Sequence, residues 1–139
     1  MAEQLFQIGV KALVRGEEGK ILLVHEAKHG ESWWDIPGGR MEPGEDLLQT
    51  LQRELHEEIS VREIASAKLS SVQKANKQIE TENGPVDLVL VIYEVKLNSG
   101  QKPIPGEEGL ELGWYEPARA AELLANKYPL DYQQEVAGL

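Results

Sequence analysis

The alternation of apolar and polar positions predicts two strands at the start of the chain. Residues 5–15 alternate and are rich in aliphatic side chains, and residues 20–25 form a second apolar run. The residues between them, 15–19, have the glycine- and glutamate-rich composition of a turn, so the pattern predicts a β-hairpin. A polar stretch at residues 27–32 then predicts a loop, which leads to a short strand around residues 35–37.

The second half of the chain predicts another hairpin and a returning strand. Residues 61–79 are typical of a long, partly polar strand, and residues 87–95 are typical of a buried, apolar one. The sequence Asn-Gly-Pro at residues 83–85 predicts the turn that joins them. Residues 98–109 are rich in glycine, proline and charge, after which residues 110–115 can return as a strand.

Helices are predicted in three places. Residues 39–60 read as a loop followed by a helix with apolar positions at helical spacing. Pro117 suits the first turn of a second helix, and residues 118–125 are good helix formers. Residues 128–139 predict a short third helix. Strands mixed with helices predict an α/β sandwich, and a length of 139 residues predicts a single domain, 1–139.

The first predicted helix carries Glu54, Glu57 and Glu58 on one stripe beside its apolar face. At about 100° per residue, Glu58 falls roughly 40° to one side of Glu54 and Glu57 roughly 60° to the other. Carboxylates at this spacing repel one another unless a cation compensates. Oxygen ligands favour Mg²⁺ or Mn²⁺ over zinc. The spacing therefore indicates either a divalent-metal site or an ordinary acidic helix face.

Charge and composition narrow the classes of function. The chain has 14 Lys and Arg residues against 24 Asp and Glu residues, a net charge of −10, and so acidic a protein repels nucleic-acid polymers. Small phosphates that arrive with a metal ion are better partners.

The absence of cysteine excludes disulfides and thiol catalysis. With no apolar run of membrane-spanning length and no leader at residues 1–10, we expect a cytoplasmic protein without membrane contact, as a monomer or homodimer.

The segment from Gly39 to Val61 resembles a known catalytic signature, the Nudix box G-x5-E-x7-R-E-U-x-E-E-x-G-U, with U a bulky aliphatic residue. The matching residues are Gly39, Glu45, Arg53, Glu54, Leu55, Glu57, Glu58 and Val61. Ser60 stands where the pattern has glycine, which predicts either a different turn or a strain of about 1 kcal/mol. The resemblance to the Nudix hydrolase family, of the MutT-like type, implies an α/β/α sandwich around a central mixed β-sheet.

The resemblance also implies a reaction. Nudix hydrolases cleave a nucleoside diphosphate linked to another group by attack of water on phosphorus, with one or more magnesium ions. Such a reaction requires positioning and charge neutralisation more than covalent chemistry. Carried over by position, Glu57 and Glu58 are metal ligands, the Gly39 carbonyl is a further ligand, and Glu54 is a ligand or the general base.

Residues near these glutamates are expected to support them. Arg53 can neutralise or orient one carboxylate. Glu45 is a candidate partner for Arg53, or supports the start of the helix, where an acid suits the helix dipole. Many family members recruit another glutamate from a loop ahead of the last strand. Here Glu108 is the candidate metal ligand, with a solvated loop acid as the alternative. Arg40 can reach a phosphate or remain in solvent.

The residues that would contact the nucleoside are predicted from less specific patterns. Asn126 resembles a position that reads the purine edge in MutT-type members, since its amide donates and accepts together; alternatively it ends a helix. His25 corresponds to a basic substrate contact in related members, or is a surface histidine. Trp34 or its neighbour Trp33 can stack on a base, while one of the two is expected in the core.

Three functions follow from these residues. The first is a metal-dependent hydrolase that converts a (deoxy)nucleoside triphosphate to monophosphate and pyrophosphate. It is favoured because the proline expected about 15 residues after the box in members of the ADP-ribose type is absent. The second keeps the chemistry and acts on ADP-ribose, another nucleotide sugar or a dinucleoside polyphosphate. The third is a non-catalytic nucleotide-binding module, which the intact glutamates disfavour.

Overall fold

Eight strands and three helices make up the computed structural model, which describes residues 3–108 and 110–139. Gly109, the last residue of the predicted loop at 98–109, lies outside the described residues, as do Met1 and Ala2. The strands are β1 (Phe6–Val14), β2 (Ile21–Lys28), β3 (Glu31–Asp35), β4 (Gly38–Arg40), β5 (Ile64–Lys74), β6 (Ile79–Thr81), β7 (Gly84–Leu97) and β8 (Glu111–Tyr115). The helices are α1 (Leu47–Ile59), α2 (Pro117–Leu123) and α3 (Leu130–Ala137).

The strands form two sheets. The larger has the order β4-β1-β7-β5, with β6 also paired to β7, and the smaller has the order β3-β2-β8. Strands β1 and β7 run parallel, whereas the other pairs are antiparallel. The central sheet is therefore mixed, as the resemblance implied.

The helices cover opposite sides of these sheets. Alternate side chains of a strand point to opposite faces, and in β2 Leu22 packs in the cluster that contains α1, whereas Leu23 packs in the cluster with α2 and α3. Both leucines are fully buried. This layering confirms the expected α/β/α sandwich. Within the described ranges, no helix has the length and apolar character needed to cross a membrane.

The hairpin predicted from residues 5–15 and 20–25 is wrong, because β1 and β2 belong to different sheets and are joined by an isolated bridge between Arg15 and Ile21 rather than by a ladder.

The predicted boundaries are also wrong in two parts of the chain. The polar stretch expected as a loop at residues 27–32 continues β2 to Lys28 and begins β3 at residue 31, and β3 ends at Asp35 rather than spanning 35–37. His29 and Gly30 make the tight turn between them with φ values of 53° and 78°, a conformation that two-residue hairpins favour. The strand predicted over 61–79 is also divided into β5 and β6.

Helix α1 has well-defined ends. Asp46 caps its first turn by accepting a hydrogen bond from the Gln49 N–H, and the Gln49 side chain accepts one from the Asp46 N–H. At the other end Ser60 adopts the left-handed conformation, with φ of 57°. Its hydroxyl donates to the Pro105 carbonyl at 3.2 Å. Ser60 thus takes the backbone conformation of the usual glycine and bears the strain of a side chain there.

Candidate active site

The box loop and α1 meet at Gly39. Strand β4 carries Gly39 against the helix, so close that an added Cβ atom would overlap the Glu54 carboxylate. The preceding residue, Gly38, has φ of 137°, and a Cβ there would collide with the Val10 carbonyl. Only glycine therefore allows the backbone of β4 to approach Glu54 and β1 together.

Arg53 is the hub of the exposed side of this site. Its guanidinium donates to Glu45 at 2.6 Å, to Glu54 at 2.9 Å and to Glu57 at 3.3 Å, and also to the Arg40 carbonyl at 3.0 Å. Hydrogen bonding to Arg53 lowers the pKa of Glu45 to about 2. The expected pairing of Arg53 with Glu45 is present in the structure. Arg53 thereby fixes the directions of three box carboxylates and holds the loop that carries Arg40.

Glu58 lies on the buried side of the same helix. Its side chain accepts a hydrogen bond from the Gly38 N–H at 2.8 Å, and the residue is 3% exposed. Burial raises the pKa of Glu58 to about 8, although Lys11 opposes the shift. Burial also raises the pKa of Glu54, against the influence of Arg53. Both carboxyl groups therefore carry an electrostatic cost that a nearby cation would relieve.

Glu108 reaches this region through the loop before β8. The Ile104 and Gly106 N–H groups donate to the Ile59 and Glu58 carbonyls at 3.1 and 3.0 Å, which docks the loop on the C-terminal end of α1. Glu108 consequently lines the cleft that also contains Glu54 and Glu58.

The donor set fits a divalent cation that prefers oxygen. Gly39, Glu54, Glu58 and Glu108 line one cleft, and their available ligands are carbonyl and carboxylate oxygens, which magnesium and manganese accept. Glu57 lies in an adjoining depression with Arg53. Within residues 3–108 and 110–139, no group of three or more acidic or histidine side chains is arranged to hold a metal ion, so the fit rests on the chemistry of the ligands and on their shared cleft.

The cleft has a volume of about 600 Å³ and brings together residues from distant parts of the chain. Arg40 and the carboxylates Glu54 and Glu58 are among its lining residues, and so are Asn126 and Trp33. Of the predicted substrate contacts, Arg40 and Asn126 therefore lie where a ligand of the cleft can reach them.

His25 and Trp34 do not line this cleft. The Trp34 ring packs on the core cluster, with its centroid 5.2 Å from that of Tyr115, and the His25 ring lies 4.8 Å from Trp34. The His25 Nδ1 is also 3.7 Å from a Glu111 carboxylate oxygen. Alternate residues of β3 face opposite sides of the sheet. Trp33, rather than the predicted Trp34, therefore lies by the cleft.

A buried ionic cluster, which sequence reasoning missed, forms the inner wall of the cleft. Asp35 accepts from Lys11 at 3.1 Å and from Lys127 at 2.7 Å on one oxygen, and from the Tyr128 hydroxyl at 2.6 Å on the other. Lys11 also donates to the Gly38 carbonyl at 3.2 Å. A lysine inside the alternating apolar pattern of β1 was the available signal, since an unpaired charge is rarely buried.

Within this cluster, Asp35 and Lys11 hold each other in their ionised forms, whereas the ionised form of Lys127 is disfavoured. Burial alone would raise the pKa of Asp35, yet Lys11 and Lys127 lower it to about 2. Burial would lower the pKa of Lys11, but Asp35 and Glu58 raise it overall. Burial and then the charge of Lys11 lower the pKa of Lys127. The cluster is thus one carboxylate between two ammonium groups.

Comparison with known proteins agrees with this fold. The family model described as the NUDIX domain matches residues 5–134. A proposed 8-oxo-dGTP diphosphatase of Bacillus subtilis is 30% identical over 115 residues, which cover 83% of this chain and 70% of that protein. A MutT-like protein of Streptomyces ambofaciens is 26% identical over 126 residues, covering 91% and 74%.

The solved structures agree at the level of the fold. The MutT Nudix hydrolase of Burkholderia pseudomallei superimposes with a TM-score of 0.67 at 24% identity, over 97% of this chain and 98% of that one. The chain belongs to the NUDIX domain family and is a hydrolase of the pyrophosphohydrolase class. Hydrolases of this family act on small nucleotide substrates and generally need a divalent metal ion.

Proposed function

We propose that the protein is a divalent-metal-dependent hydrolase of (deoxy)nucleoside triphosphates, which it cleaves to the monophosphate and pyrophosphate. The observation that carries this proposal is that a single cleft is lined both by the box carboxylates Glu54 and Glu58 and by Asn126 and Trp33. A ligand that has both a metal-bound phosphate chain and a flat base can use both sets of groups at once. The name of the Bacillus subtilis relative, which specifies an oxidised purine triphosphate, supports the same substrate class.

The proposed metal ion is magnesium, with manganese as a substitute. The Gly39 carbonyl and the carboxylates Glu57, Glu58 and Glu108 would hold it, with Glu54 as a further ligand or as the general base. When bound, such an ion neutralises phosphate charge and acidifies a coordinated water molecule. For Glu57 this role requires its carboxylate to exchange the 3.3 Å contact with Arg53 for the metal.

The surrounding side chains hold the reacting groups in place. Arg53 positions Glu54 through a 2.9 Å hydrogen bond, so that a box glutamate can accept the proton of the attacking water. Glu54 is the candidate base. Arg40, whose carbonyl is held by Arg53 at 3.0 Å, can direct its guanidinium to a phosphate oxygen.

The base is proposed to lie between Trp33 and the loop that follows α2. An indole face stacks on any nucleobase, and the Asn126 amide can donate and accept on a purine edge. His25 and Trp34 have no part in this proposal, since they lie outside the cleft.

The proposed surroundings are a cytoplasm in which the protein meets small nucleotides. The net charge of −10 opposes binding of nucleic-acid polymers. A nucleoside triphosphate bound to magnesium carries much less net negative charge than a nucleic-acid polymer. The acidic protein therefore repels it much less.

Product analysis tests this proposal. The protein is incubated with magnesium and dGTP, 8-oxo-dGTP, dATP, ADP-ribose or a dinucleoside tetraphosphate, and products are separated by ion exchange. We expect monophosphate and pyrophosphate from at least one triphosphate, and no turnover in the Glu57→Gln variant. Exclusive turnover of ADP-ribose or of the tetraphosphate would overturn the proposed substrate class. Turnover of no compound, with nucleotide binding retained, would favour a binding module.

A further inference from the structure

The ammonium group of Lys127 has donors to spare. It makes one hydrogen bond to another described residue, to the Asp35 carboxylate at 2.7 Å. Its side chain is 22% exposed, and Lys127 is one of the residues that line the cleft. A lysine ammonium has three N–H donors, so two remain for a ligand that enters the cleft.

The ammonium group of Lys11, on the opposite side of Asp35, has three partners within the protein. It contacts the Asp35 carboxylate at 3.1 Å and donates to the Ile36 and Gly38 carbonyls at 3.3 and 3.2 Å. Only 4% of the residue is exposed. Asp35 thus lies between two lysines, and Lys127 is the one on the side open to the cleft.

The position of Lys127 is held from two directions. Its carbonyl accepts from the Asn76 N–H at 2.7 Å, and the Asn76 side chain donates to the Tyr128 carbonyl at 2.9 Å. The Tyr128 hydroxyl donates to Asp35 at 2.6 Å. These bonds tie the loop after α2 to β3 and to the segment after β5. Because the side chain is ordered before a ligand binds, little conformational entropy is lost on binding.

We propose that Lys127 is a specificity-determining residue that donates a hydrogen bond to the oxygen at position 6 of an oxo-purine, and that it selects guanine-type bases over adenine. An oxo-purine presents acceptors at this edge, whereas adenine presents an amino donor. A lysine donor matches the first and opposes the second. The inference deepens the proposed function and rests on it, since it assumes that the cleft receives a nucleotide.

The neighbours of Lys127 favour contact with a base over contact with a phosphate. Asn126 adjoins it in sequence, and Trp33, Ile79 and Leu88 line the same cleft. An aromatic and apolar wall with a few convergent polar groups suits a flat ring. Metal-bound phosphates belong instead with the carboxylates of α1.

The test compares dITP with dATP, whose bases differ in carrying an oxo or an amino group at position 6. We expect wild-type kcat/KM to be about tenfold or more higher for dITP, because a buried donor rejects a mismatched partner. Lys127→Met should lower kcat/KM for dITP and leave it unchanged or raise it for dATP, where it removes an opposing donor, so that the preference for dITP is lost. Equal loss for both nucleotides would assign Lys127 to the phosphates or to folding and overturn the inference.

Two further variants separate recognition from folding. Tyr128→Phe removes another hydrogen bond to Asp35 without changing a residue that lines the cleft, and it should keep the wild-type ratio of dITP to dATP. Lys127→Arg retains donors and should restore part of the ratio lost in Lys127→Met. A ratio that collapses equally in Tyr128→Phe would contradict a direct contact.

Binding of products provides a readout that does not depend on turnover. Calorimetric titration of the wild-type protein with dIMP and dAMP should give about tenfold tighter binding of dIMP. Equal affinities would overturn the role of Lys127 even if triphosphates are hydrolysed. Conversely, a protein that turns over no triphosphate but prefers dIMP would refute the proposed reaction and leave the base recognition standing.

Discussion

At the scale of single residues, Gly39 shows how a missing side chain defines the site. A Cβ atom at this position would overlap the Glu54 carboxylate. We predict that Gly39→Ala lowers kcat by about 100-fold or more, since displacement of a reacting group by about 1 Å has an effect of that size. The steady-state rate with magnesium and the preferred triphosphate measures it.

Gly138→Ala is the matched control for this substitution. Gly138 has φ of −85°, and an added Cβ there would have no neighbour closer than 3.5 Å. Its rate should equal that of the wild-type protein. Full activity in Gly39→Ala would mean that β4 can move away from α1 without loss of function, and that the close approach has no catalytic importance.

The charge of Asp35 makes the free energy of unfolding depend on pH. Its pKa falls from 3.8 to about 2 on folding, so the stabilisation from its ionised form is complete above about pH 4 and is lost as the pH falls through 2. Asp35→Asn leaves Lys11 and Lys127 without their carboxylate, which should cost about 3–5 kcal/mol at pH 7. We predict that the difference in the free energy of unfolding between the two proteins shrinks from pH 4 towards pH 2, as measured by urea denaturation. A difference independent of pH would exclude the ionic role.

At the scale of elements, the end of α1 carries a removable strain. Ser60 has φ of 57°, a conformation that glycine adopts without cost. We predict that Ser60→Gly raises the free energy of unfolding by about 0.5–1 kcal/mol, with activity unchanged, as measured by thermal denaturation. Ser60→Ala is the control, because it keeps the strained Cβ and loses the hydroxyl bond to Pro105, and it should be less stable than the wild type. If glycine were the less stable variant, the hydroxyl bond would outweigh the strain.

Element types were predictable from sequence, and their edges were less so. The apolar alternation of β1 and the apolar run of β7 identify those strands directly. The polar residues 27–32 predicted a loop although they form the end of the β2–β3 hairpin. Strand residues at an exposed hairpin end can be polar, so the apolar pattern did not identify them. Once β3 is known to include residues 33–35, the alternation of a strand places Trp33 and Asp35 on one face and Trp34 on the other.

At the scale of the whole molecule, helical spacing predicts the local half of the candidate site, whereas the distant half is predicted only in part, through the family resemblance that gave Glu108 and Asn126 but not Lys127. Arg53 and the box glutamates lie within a few turns of one helix, so their proximity follows from helical spacing. Lys127 and Asp35 are 92 positions apart, and their contact depends on how α2 and the loop after it pack on β3. A single sequence carries no pattern that reports such packing.

Binding of the metal ion should also raise the stability of the whole molecule. A ligand that binds only the folded state adds about 2.7 kcal/mol to the free energy of unfolding at 100 times its dissociation constant. We predict that magnesium raises the Tm of the wild-type protein and has a much smaller effect on Glu58→Gln, and that turnover stops in chelator. The glutamine can still accept the Gly38 N–H, which donates to Glu58 at 2.8 Å, and it replaces a carboxyl group whose ionised form is disfavoured by burial, so its Tm without metal should equal or exceed that of the wild type.

Glu122→Gln is the control for this comparison, since it breaks an exposed ion pair with Arg119 that lies outside the cleft. Its magnesium response should match that of the wild-type protein. Differential scanning calorimetry of the three proteins in chelator and in magnesium decides the matter. If magnesium stabilises Glu58→Gln as strongly as the wild type, Glu58 is not a ligand, and its burial beside Gly38 serves the packing of the box loop on α1 instead.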